Sequence, residues 1–413
     1  MVHHFGMMPI RQNSYNCSSC PYFRRPYDDG MKAMLLRRIG PVESTPLELV
    51  DLPIPEPGPG EVRIRVRCCA ICRTDLHVIE GDLPQQKLPI IPGHQIVGIV
   101  DKIGKMETKA EGGRRRAEES PQVGAAVVLP HLASRGGSAT ATPTWLAEGE
   151  GRRAEERPLQ VGQRVGVAWL RHTCGECGFC ASGRENLCES ARFTGYHSDG
   201  GYAEYAVAPA EFVYELPAAF SDVEASPLLC SGIIGYRALR RCNLPPGGKL
   251  ALYGFGSSAH VVIQIALHRG CQVYVVTRGE NHRELARRMG AVWVGENAHD
   301  MPVKVDSAIM FAPAGELVLP ALESLNKGGT LSLAGIYMTP IPQMDYQRYV
   351  FYERDIHSVT CNTREDGREL LAEAAAIPIR PHTTVYPLAD ANRAIQDLKN
   401  DRINGTGVLM IGQ

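Results

Sequence analysis

The chain has 413 residues, 44% of them hydrophobic, so it is long enough for about two or three domains with large buried cores. Its 44 Lys and Arg residues nearly balance its 45 Asp and Glu residues, which excludes a basic surface for nucleic acid and an acidic tail. No run of about 18 apolar residues could span a membrane, and the N-terminus has no apolar secretory core. We therefore predict a cytoplasmic protein that binds neither nucleic acid nor a membrane.

The 13 cysteines are an odd number in a chain without a readable secretion signal. A disulfide framework is therefore not expected, and metal-binding or catalytic cysteines are favoured. Residues 1–30 are polar and unpatterned, and their pair Cys17 and Cys20 supplies only two metal ligands. We predict that residues 1–30 form a disordered extension.

From Met31 the sequence is rich in Val, Ile and Pro. Residues 47–59 predict a strand that runs into a Pro-rich turn, and residues 61–68 alternate polar and apolar side chains as a half-buried strand does. Residues 90–100 combine turn signals with another apolar strand. This part of the chain predicts a β-rich, barrel-like domain.

A charged segment over about 105–160 interrupts this pattern and contains a duplication. RRAEESPQVG at 115–124 recurs as RRAEERPLQVG at 152–162. A single extra copy is too few for a solenoid, and the charges of the segment nearly balance. We predict a solvated surface insertion, with binding of RNA or a partner protein as the alternative.

After residue 210 helices alternate with strands, a pattern typical of βαβ units in a parallel sheet. Helices are predicted over 221–241, with Ser221 as N-cap, and over 259–268 and 282–289. Strands are predicted over 249–253, 272–276, near 292, and over 306–310 and 330–334. The tail predicts a short helix over 390–398 and a closing strand over 407–411.

The strongest chemical signal is a cluster of four cysteines within 15 residues: Cys174, Cys177, Cys180 and Cys188. Four thiolates at this spacing can close a tetrahedron around zinc and leave no open position. The sequence therefore predicts a structural zinc that holds a loop together. Four buried free thiols or an iron–sulfur cluster are the alternatives, and no second redox signature accompanies the cysteines.

A second group contains Cys72, Thr74, Asp75, His77 and His94. A catalytic zinc needs three protein ligands and one open position. Cys72 and His94 offer two ligands, so a third would have to come from far along the chain. Taken alone, a Cys and a His on β-rich segments are also compatible with plain core packing.

A glycine-rich turn follows the apolar strand 249–253 and precedes a helix, in the order Gly254, Phe255, Gly256, Ser257, Ser258 and Ala259. This is the G-x-G-x-x-A pattern in the strand–turn–helix context that dinucleotide binding requires. The glycines allow a tight turn and close approach of a diphosphate, which would lie at the helix N-terminus.

The end of the next strand predicts which nucleotide binds there. An acidic residue at this place would bind the ribose 2′-hydroxyl and select NAD. The sequence instead has Thr277 and Arg278, with Arg283 nearby, and no carboxylate directly after the strand. Because a guanidinium suits a 2′-phosphate, we predict a preference for NADP(H), with NAD(H) possible and a solvated Arg278 as the alternative interpretation.

Together these motifs resemble the zinc-dependent alcohol dehydrogenases of the medium-chain dehydrogenase/reductase superfamily, and among them a bacterial AdhA-like branch. The resemblance runs from Met31 to about Met410 through ICRTDLHVIEGDLP, IPGHQIVGIV, GGYAEYAV, LLCSGIIGYRAL and YGFGSSAH, and excludes the insertion. It implies an α/β fold: a Rossmann doubly wound parallel sheet plus a GroES-like β-barrel catalytic domain. The expected domains are catalytic over 31–210, NAD(P)-binding over 211–345, and a return to the catalytic domain over 346–413.

The resemblance also assigns roles to individual residues. It implies that Cys230 is the third ligand of the catalytic zinc, beside Cys72 and His94. It implies that Thr74 binds the substrate oxygen, that Asp75 orients a ligand, and that His77 passes a proton to solvent. Trp169 and Leu170 match positions that line the substrate pocket, although core packing would also explain them. Gln95 departs from the family, which usually has Glu after this His.

The expected function is hydride transfer between NADP(H) and a primary alcohol or aldehyde, with two zinc ions per chain. An NAD-preferring alcohol or polyol dehydrogenase is the alternative, and a catalytically inactive, zinc-stabilised binding protein is a further one. The expected partners are a small-molecule alcohol or aldehyde and further copies of the chain, as a dimer or tetramer.

Overall fold

The computed structural model describes residues 30–84, 87–105, 158–377 and 379–411. The predicted disordered extension and nearly all of the predicted insertion lie outside these residues. Within the described ranges, no helix is both long and apolar enough to cross a membrane.

Seventeen β-strands lie within the described ranges. In chain order they are β1 (Gly30–Leu36), β2 (Leu47–Pro53), β3 (Glu61–Ala70), β4 (Gln95–Ile103), β5 (Arg164–Val167), β6 (Leu170–His172), β7 (Arg192–Phe193), β8 (Tyr205–Pro209), β9 (Val213–Glu215), β10 (Lys249–Tyr253), β11 (Gln272–Val276), β12 (Trp293–Gly295), β13 (Val305–Met310), β14 (Leu325–Leu333), β15 (Asp355–Ser358), β16 (Thr383–Pro387) and β17 (Thr406–Met410).

Ten α-helices occur in the same ranges. They are α1 (Arg73–Glu80), α2 (Gly178–Ala181), α3 (Asp222–Pro227), α4 (Ile233–Arg241), α5 (Ala259–His268), α6 (Glu280–Arg288), α7 (Val318–Ser324), α8 (Tyr346–Tyr349), α9 (Arg364–Ala376) and α10 (Ala391–Lys399).

A seven-stranded sheet combines strands from both ends of the chain, in the order β16-β17-β3-β4-β5-β9 with β8 also paired to β3. β17 pairs antiparallel with β3, so the last strand lies beside the segment that leads to Cys72. Val62, Ile64 and Val66 of β3 are at most 2% exposed. They form the inward face that the alternating sequence pattern predicted.

A six-stranded sheet has the order β12-β11-β10-β13-β14-β15, and all of its strands are parallel. The strand order reverses next to β10, which lies between β11 and β13. In sheets of this kind, ligands bind outside the carboxyl ends of the strands at such a reversal. The glycine-rich turn that begins at Gly254 follows β10 at this place.

Two strands lie on the far side of the predicted domain boundaries. β9 belongs to the seven-stranded sheet although it follows residue 210, and β15 belongs to the six-stranded sheet although it follows residue 345. Both boundaries were therefore placed too early. The reason is that β9 pairs with β5 and β15 pairs with β14. The local sequence pattern does not indicate which strand a given strand pairs with.

The predicted insertion begins and ends at one end of an antiparallel strand pair, β4 with β5. The Gly162 N–H donates to the Val100 carbonyl at 2.8 Å, and the Gly104 N–H donates to the Glu61 carbonyl at 2.8 Å. The two described ends of the segment are thus held beside the same strands. This is the arrangement expected of a segment added to a connection between neighbouring strands.

Candidate active site

Three side chains that are distant in sequence meet at one point between the two sheets. One ligand atom from each of Cys72, His94 and Cys230 lies within 4.8 Å of the other two. Sγ of Cys72 lies 3.3 Å from Nε2 of His94. Cys72 and His94 are 8% and 0% exposed and Cys230 is half-buried, so the point is largely removed from water.

Local structure holds each of these side chains in place. Cys72 is the N-cap of α1, and its Sγ accepts the backbone N–H of Thr74 at 3.3 Å. His94 directly precedes β4. Cys230 lies in a π-helical turn, Leu228–Gly232, that separates α3 from α4. The single helix predicted over 221–241 is therefore interrupted at Cys230. Such π-helical turns often occur at functional sites.

Asp75 fixes the ring of His94. Its Oδ1 lies 3.1 Å from Nδ1 of His94, and its Oδ2 accepts the backbone N–H of Cys72 at 3.0 Å. Asp75 is 1% exposed. When Nδ1–H donates to this carboxylate, Nε2 is left with its lone pair toward Cys72, which is the usual arrangement around a metal-binding histidine.

The charges of this site favour a cation. Burial lowers the pKa of His94, but the negative charges of Asp75 and Cys72 outweigh burial and raise it to about 10. Burial also opposes ionisation of Cys72, yet its hydrogen bond with Cys230 and the charge of His94 hold its pKa well below the usual range. Groups that stabilise a proton beside a thiolate stabilise a divalent cation for the same electrostatic reason.

The donor atoms and their spacing fit zinc. With Zn–S of about 2.3 Å and Zn–N of about 2.0 Å, a tetrahedral site places sulfur and nitrogen about 3.5 Å apart. The 3.3 Å between Cys72 Sγ and His94 Nε2 is close to this value. Two thiolates and one imidazole also leave one of the four positions open, as a catalytic zinc requires.

Gln95, next to His94, has a buried amide without a partner. The residue is 0% exposed, and neither Nε2 nor Oε1 has a hydrogen-bond partner among the described residues. An unpaired buried polar group costs about 1–3 kcal/mol. The fold bears this free-energy cost and keeps a polar amide beside the three candidate ligands. This is what we expect of a site that binds a further polar group.

The exposed end of α1 extends the site toward solvent. Thr74 and His77 are three residues apart and so share one face of the helix. Nδ1 of His77 lies 2.8 Å from the carboxylate of Asp82, and its ring lies 5.5 Å from that of Tyr337. Thr74 is buried, His77 is half-buried and Asp82 is exposed. Polar groups thus lead from the three candidate metal ligands to the surface.

The two predicted pocket residues differ in their surroundings. The indole of Trp169 meets the His94 ring edge-on at 4.9 Å and stacks on Phe193 at 5.0 Å. Trp169 is half-buried beside the candidate metal ligands, which is consistent with its predicted place in a pocket. Leu170 is 2% exposed in β6, which is the environment of a core residue.

The four sulfurs of Cys174, Cys177, Cys180 and Cys188 also lie within 4.8 Å of one another. Three of their separations are 3.6, 3.6 and 3.9 Å. A disulfide has an S–S distance of about 2.0 Å, whereas the edge of a ZnS₄ tetrahedron is about 3.8 Å. Backbone N–H donors lower the pKa of Cys174 to about 7. Burial and hydrogen bonds with the neighbouring thiols raise the pKa of Cys180 to about 12, so the sulfur separations, not the pKa shifts, are what fit four sulfurs around one zinc ion.

The glycine-rich turn is shaped for the close approach of a ligand. Gly254 has φ of +85°, and a Cβ there would lie 3.0 Å from the backbone nitrogen of Ala312. A Cβ at Gly256 would meet nothing within 4 Å, so this side of the turn is open. Ser257 and Ser258 complete the turn, and the 0% exposed Ala259 begins α5. Gly256 lies just before the N-terminus of α5, which is the positive end of the helix dipole.

The predicted residues after β11 have separate tasks. The Thr277 hydroxyl accepts the backbone N–H of Phe255 at 3.2 Å, so it supports the glycine-rich turn. Arg283 is paired with Glu280 and Glu296. Arg278 has no ion pair in the described part of the chain and borders a cavity of about 180 Å³. Among these residues, Arg278 therefore has the charge that a ligand could use.

Two family models match the chain. One, described as alcohol dehydrogenase GroES-like domain, matches residues 58–142 and 147–218, and the other, described as zinc-binding dehydrogenase, matches residues 259–376. "Probable alcohol dehydrogenase AdhA" of Mycobacterium tuberculosis is 47% identical over 381 residues, which cover 92% of this chain and 97% of that protein. This chain belongs to the zinc-dependent alcohol dehydrogenases of the medium-chain dehydrogenase/reductase superfamily. An alcohol dehydrogenase of Geobacillus stearothermophilus is 31% identical, over 92% of this chain and 100% of that protein.

A solved structure agrees with this dehydrogenase in fold. A cinnamyl alcohol dehydrogenase of Sorghum bicolor superposes with a TM-score of 0.72 at 23% identity, over 92% of this chain and 97% of that one. The predicted fold class, a Rossmann parallel sheet with a GroES-like domain, is confirmed. The chain is thus an oxidoreductase of a zinc-binding family that acts on alcohols.

Sequence reasoning missed three residues around the site of this dehydrogenase. Asp82 orients His77, and its only sequence signal is its position just after α1. Arg73 follows Cys72 and forms an ion pair with Asp401 at 2.5 Å. Asp401 also lines the cavity beside Arg278. The last two contacts join distant parts of the chain, so no local pattern could have indicated them.

Proposed function

We propose that the enzyme interconverts a primary alcohol and its aldehyde with a preference for NADP(H), and that each chain holds one catalytic and one structural zinc. The observation that carries this proposal is the meeting of Cys72, His94 and Cys230 beside a helix face that leads from Thr74 to solvent. The substrate is a small alcohol or aldehyde that reaches this point along Trp169.

Cys72, His94 and Cys230 would hold the catalytic zinc, while the turn after Gly254 would hold the diphosphate of the nucleotide. Bound zinc supplies a Lewis acid for the substrate oxygen, and the nicotinamide supplies the carrier of the hydride. Asp75 keeps the His94 ring in the tautomer that presents Nε2. Gln95 leaves the site less negative than the usual Glu would.

The protein's own task is then to move one proton. We infer that the Thr74 hydroxyl exchanges a proton with the alcohol oxygen, because Thr74 is buried and its backbone N–H donates to Sγ of Cys72. His77 lies on the same helix face and can take up that proton at Nε2, because Nδ1–H is held by Asp82. Asp82 is exposed and orients the His77 ring at the boundary with solvent, which accepts the proton.

Initial rates of NADPH and NADH oxidation with benzaldehyde and with a medium-chain aldehyde test this function, on protein of known zinc content. We expect chelator-sensitive turnover that is faster with NADPH and a content of two zinc ions per chain. Turnover that survives removal of zinc would contradict the proposal. An absence of turnover with two zinc ions bound would contradict the assigned substrate class.

Preference for NADP(H) is proposed to rest on Arg278. A charge-assisted contact between a guanidinium and a phosphate contributes about 1.5–3 kcal/mol, so Arg278→Ala should raise KM for NADPH by about 10- to 100-fold and change KM for NADH little. Arg283→Ala is the matched control, because Arg283 is already paired with Glu280 and Glu296. An equal loss with both nucleotides in Arg278→Ala would refute the assignment.

The alternative, a preference for NAD(H), has one observation in its favour. Glu280 and Asp401 line the same cavity as Arg278, and a carboxylate there could bind a ribose 2′-hydroxyl.

We also propose that the enzyme is a dimer or tetramer. The β15 edge of the six-stranded sheet has one neighbour among the described strands, and the exposed aromatics Phe351 and Tyr352 precede it.

A further inference from the structure

Side chains of α5 connect the glycine-rich turn to the segment before β16. The backbone N–H of Arg380 donates to Oε1 of Gln264 at 2.8 Å, and Nε2 of Gln264 donates back to the Arg380 carbonyl at 3.3 Å. One turn earlier, the backbone N–H of His382 donates to Nε2 of His260 at 3.1 Å. These bonds attach α5, which packs on the six-stranded sheet, to the segment that leads into β16 of the seven-stranded sheet.

His260 also contacts the glycine-rich turn itself. Its Nδ1 lies 3.3 Å from the carbonyl oxygen of Gly256, and the residue is 0% exposed. Because Nε2 accepts from His382, Nδ1 must carry the proton that is donated to Gly256. Burial lowers the pKa of His260 to about 4, so the neutral ring that both contacts require persists at neutral pH.

The connection continues from His382 to the metal ligands. The His382 carbonyl accepts the backbone N–H of Thr406 at 2.9 Å. The carbonyl of the next residue, Gly407, accepts the backbone N–H of Ile71 at 2.9 Å. Ile71 directly precedes Cys72. A series of short contacts therefore runs from the turn that would hold the nucleotide to the first zinc ligand.

Two features tighten this connection. The hydroxyl of Ser257, inside the glycine-rich turn, is hydrogen-bonded to the hydroxyl of Thr406. Gly405 has φ of +84°, and a Cβ there would collide with the His382 carbonyl, so the two segments approach as closely as backbone allows. Thr406 is 1% exposed, which removes competition from water.

We propose that His260 is a positioning residue, which fixes the glycine-rich turn relative to the Cys72 segment and so sets the distance between nicotinamide and substrate. This inference rests on the function proposed above. It also follows a general rule: an error of about 1 Å in the placement of reacting groups can cost about 100-fold in rate. His260 acts through Gly256 and His382 and does not itself take part in the transfer.

The test uses His260→Asn and the full-length enzyme with zinc bound. Asn at 260 can still donate to the Gly256 carbonyl but loses the acceptor for the His382 N–H. We expect kcat to fall by about 10- to 100-fold, with a primary isotope effect from deuterated alcohol that rises as hydride transfer becomes rate-limiting. KM for the alcohol and the zinc content should stay unchanged. His268→Gln, at the exposed end of the same helix, is the matched control.

Two readouts do not depend on turnover. Hydrogen exchange of the His382 amide should accelerate at least about tenfold in His260→Asn, because its acceptor is lost. The Kd of NADPH, measured by calorimetry, should rise by about tenfold. If His260→Asn does not fold, Gln264→Leu is the second variant, since it removes the two hydrogen bonds to Arg380. It should change kcat, the isotope effect and the Kd of NADPH in the same direction but by a smaller factor.

The outcomes separate this inference from the proposed function. Faster exchange at His382 with an unchanged isotope effect, kcat and NADPH affinity would mean that His260 serves only stability, and would overturn the inference. A wild-type enzyme without alcohol turnover would refute the proposed function. The calorimetric Kd of NADPH in wild type and His260→Asn would then decide the positioning role on its own.

Discussion

Replacing Cys230 by Ser is expected to lower kcat/KM for alcohol oxidation by at least about 1000-fold and zinc content from two ions per chain to one. The loss corresponds to about 4 kcal/mol of transition-state stabilisation. The physical reason is that a serine hydroxyl is not deprotonated at neutral pH and is a poor ligand for zinc beside Cys72 and His94. Metal analysis and initial rates on the same preparation provide the measurement.

Cys242→Ser is the control for this variant. Cys242 is 0% exposed and directly follows α4, but it lies outside the three-ligand cluster. Its Sγ donates to the Leu239 carbonyl at 3.1 Å, a bond that a serine hydroxyl can also form. We expect Cys242→Ser to keep both zinc ions and nearly full activity. If Cys230→Ser retained two zinc ions and full activity, Cys230 would not be a ligand.

Local pattern predicted the parallel sheet well. The strands 249–253 and 272–276 and the helix 259–268 occur with the predicted bounds. Each strand is a short apolar run that is buried on both faces. Gly254 follows the first strand and Gly270 follows the helix, so a glycine with positive φ marks each turn between these elements. Such signals depend only on neighbouring residues. The boundaries between the two sheets depend on distant strand pairings. The prediction therefore placed β9 in the NAD(P)-binding domain and β15 in the catalytic domain, whereas each belongs to the other sheet.

The candidate metal ligands differ from one another in the same respect. The four cysteines of the loop lobe are close in sequence, so spacing alone indicated a shared ion. Cys72, His94 and Cys230 meet only because β3, β4 and a π-helical turn converge. Periodicity predicted an uninterrupted helix through Cys230, whereas the structure has a π-helical turn there. The resemblance to a family was needed to name this ligand.

Charge pairing was also hidden from the sequence. From the sequence, Arg278 and the nearby Arg283 were both candidates for contact with a phosphate. In the structure Arg283 is held by Glu280 and Glu296, and only Glu280 lies within the same helical turn. The contact between His260 and His382 is even harder to predict from the sequence, because it joins residues 122 positions apart. A sequence pattern identifies residue types with the right chemistry, while the fold decides which of them are free to act.

The four-cysteine lobe should matter for stability more than for chemistry. Glu185 of the lobe pairs with Arg364 at 2.7 Å, and Asn186 donates to the Thr360 carbonyl at 2.9 Å. These contacts attach the lobe to α9 and to the loop before it. Cys188→Ser should therefore release one zinc ion per chain and loosen α9 together with the lobe, because structural zinc contributes directly to folding.

We expect Cys188→Ser to lower Tm by about 10 °C, since a loss of several kcal/mol shifts the midpoint by about 2–4 °C per kcal/mol in proteins of 150–250 residues. The remaining zinc should stay at Cys72, His94 and Cys230, so activity per folded molecule should fall only a few-fold at low temperature. Cys271→Ser is the matched control, because Cys271 is 6% exposed and ligates nothing in the described cluster. Thermal unfolding with zinc analysis decides between the two roles. An unchanged Tm with one zinc lost would show that the lobe does not stabilise the fold, whereas loss of both zinc ions would show that the lobe is needed to build the catalytic site.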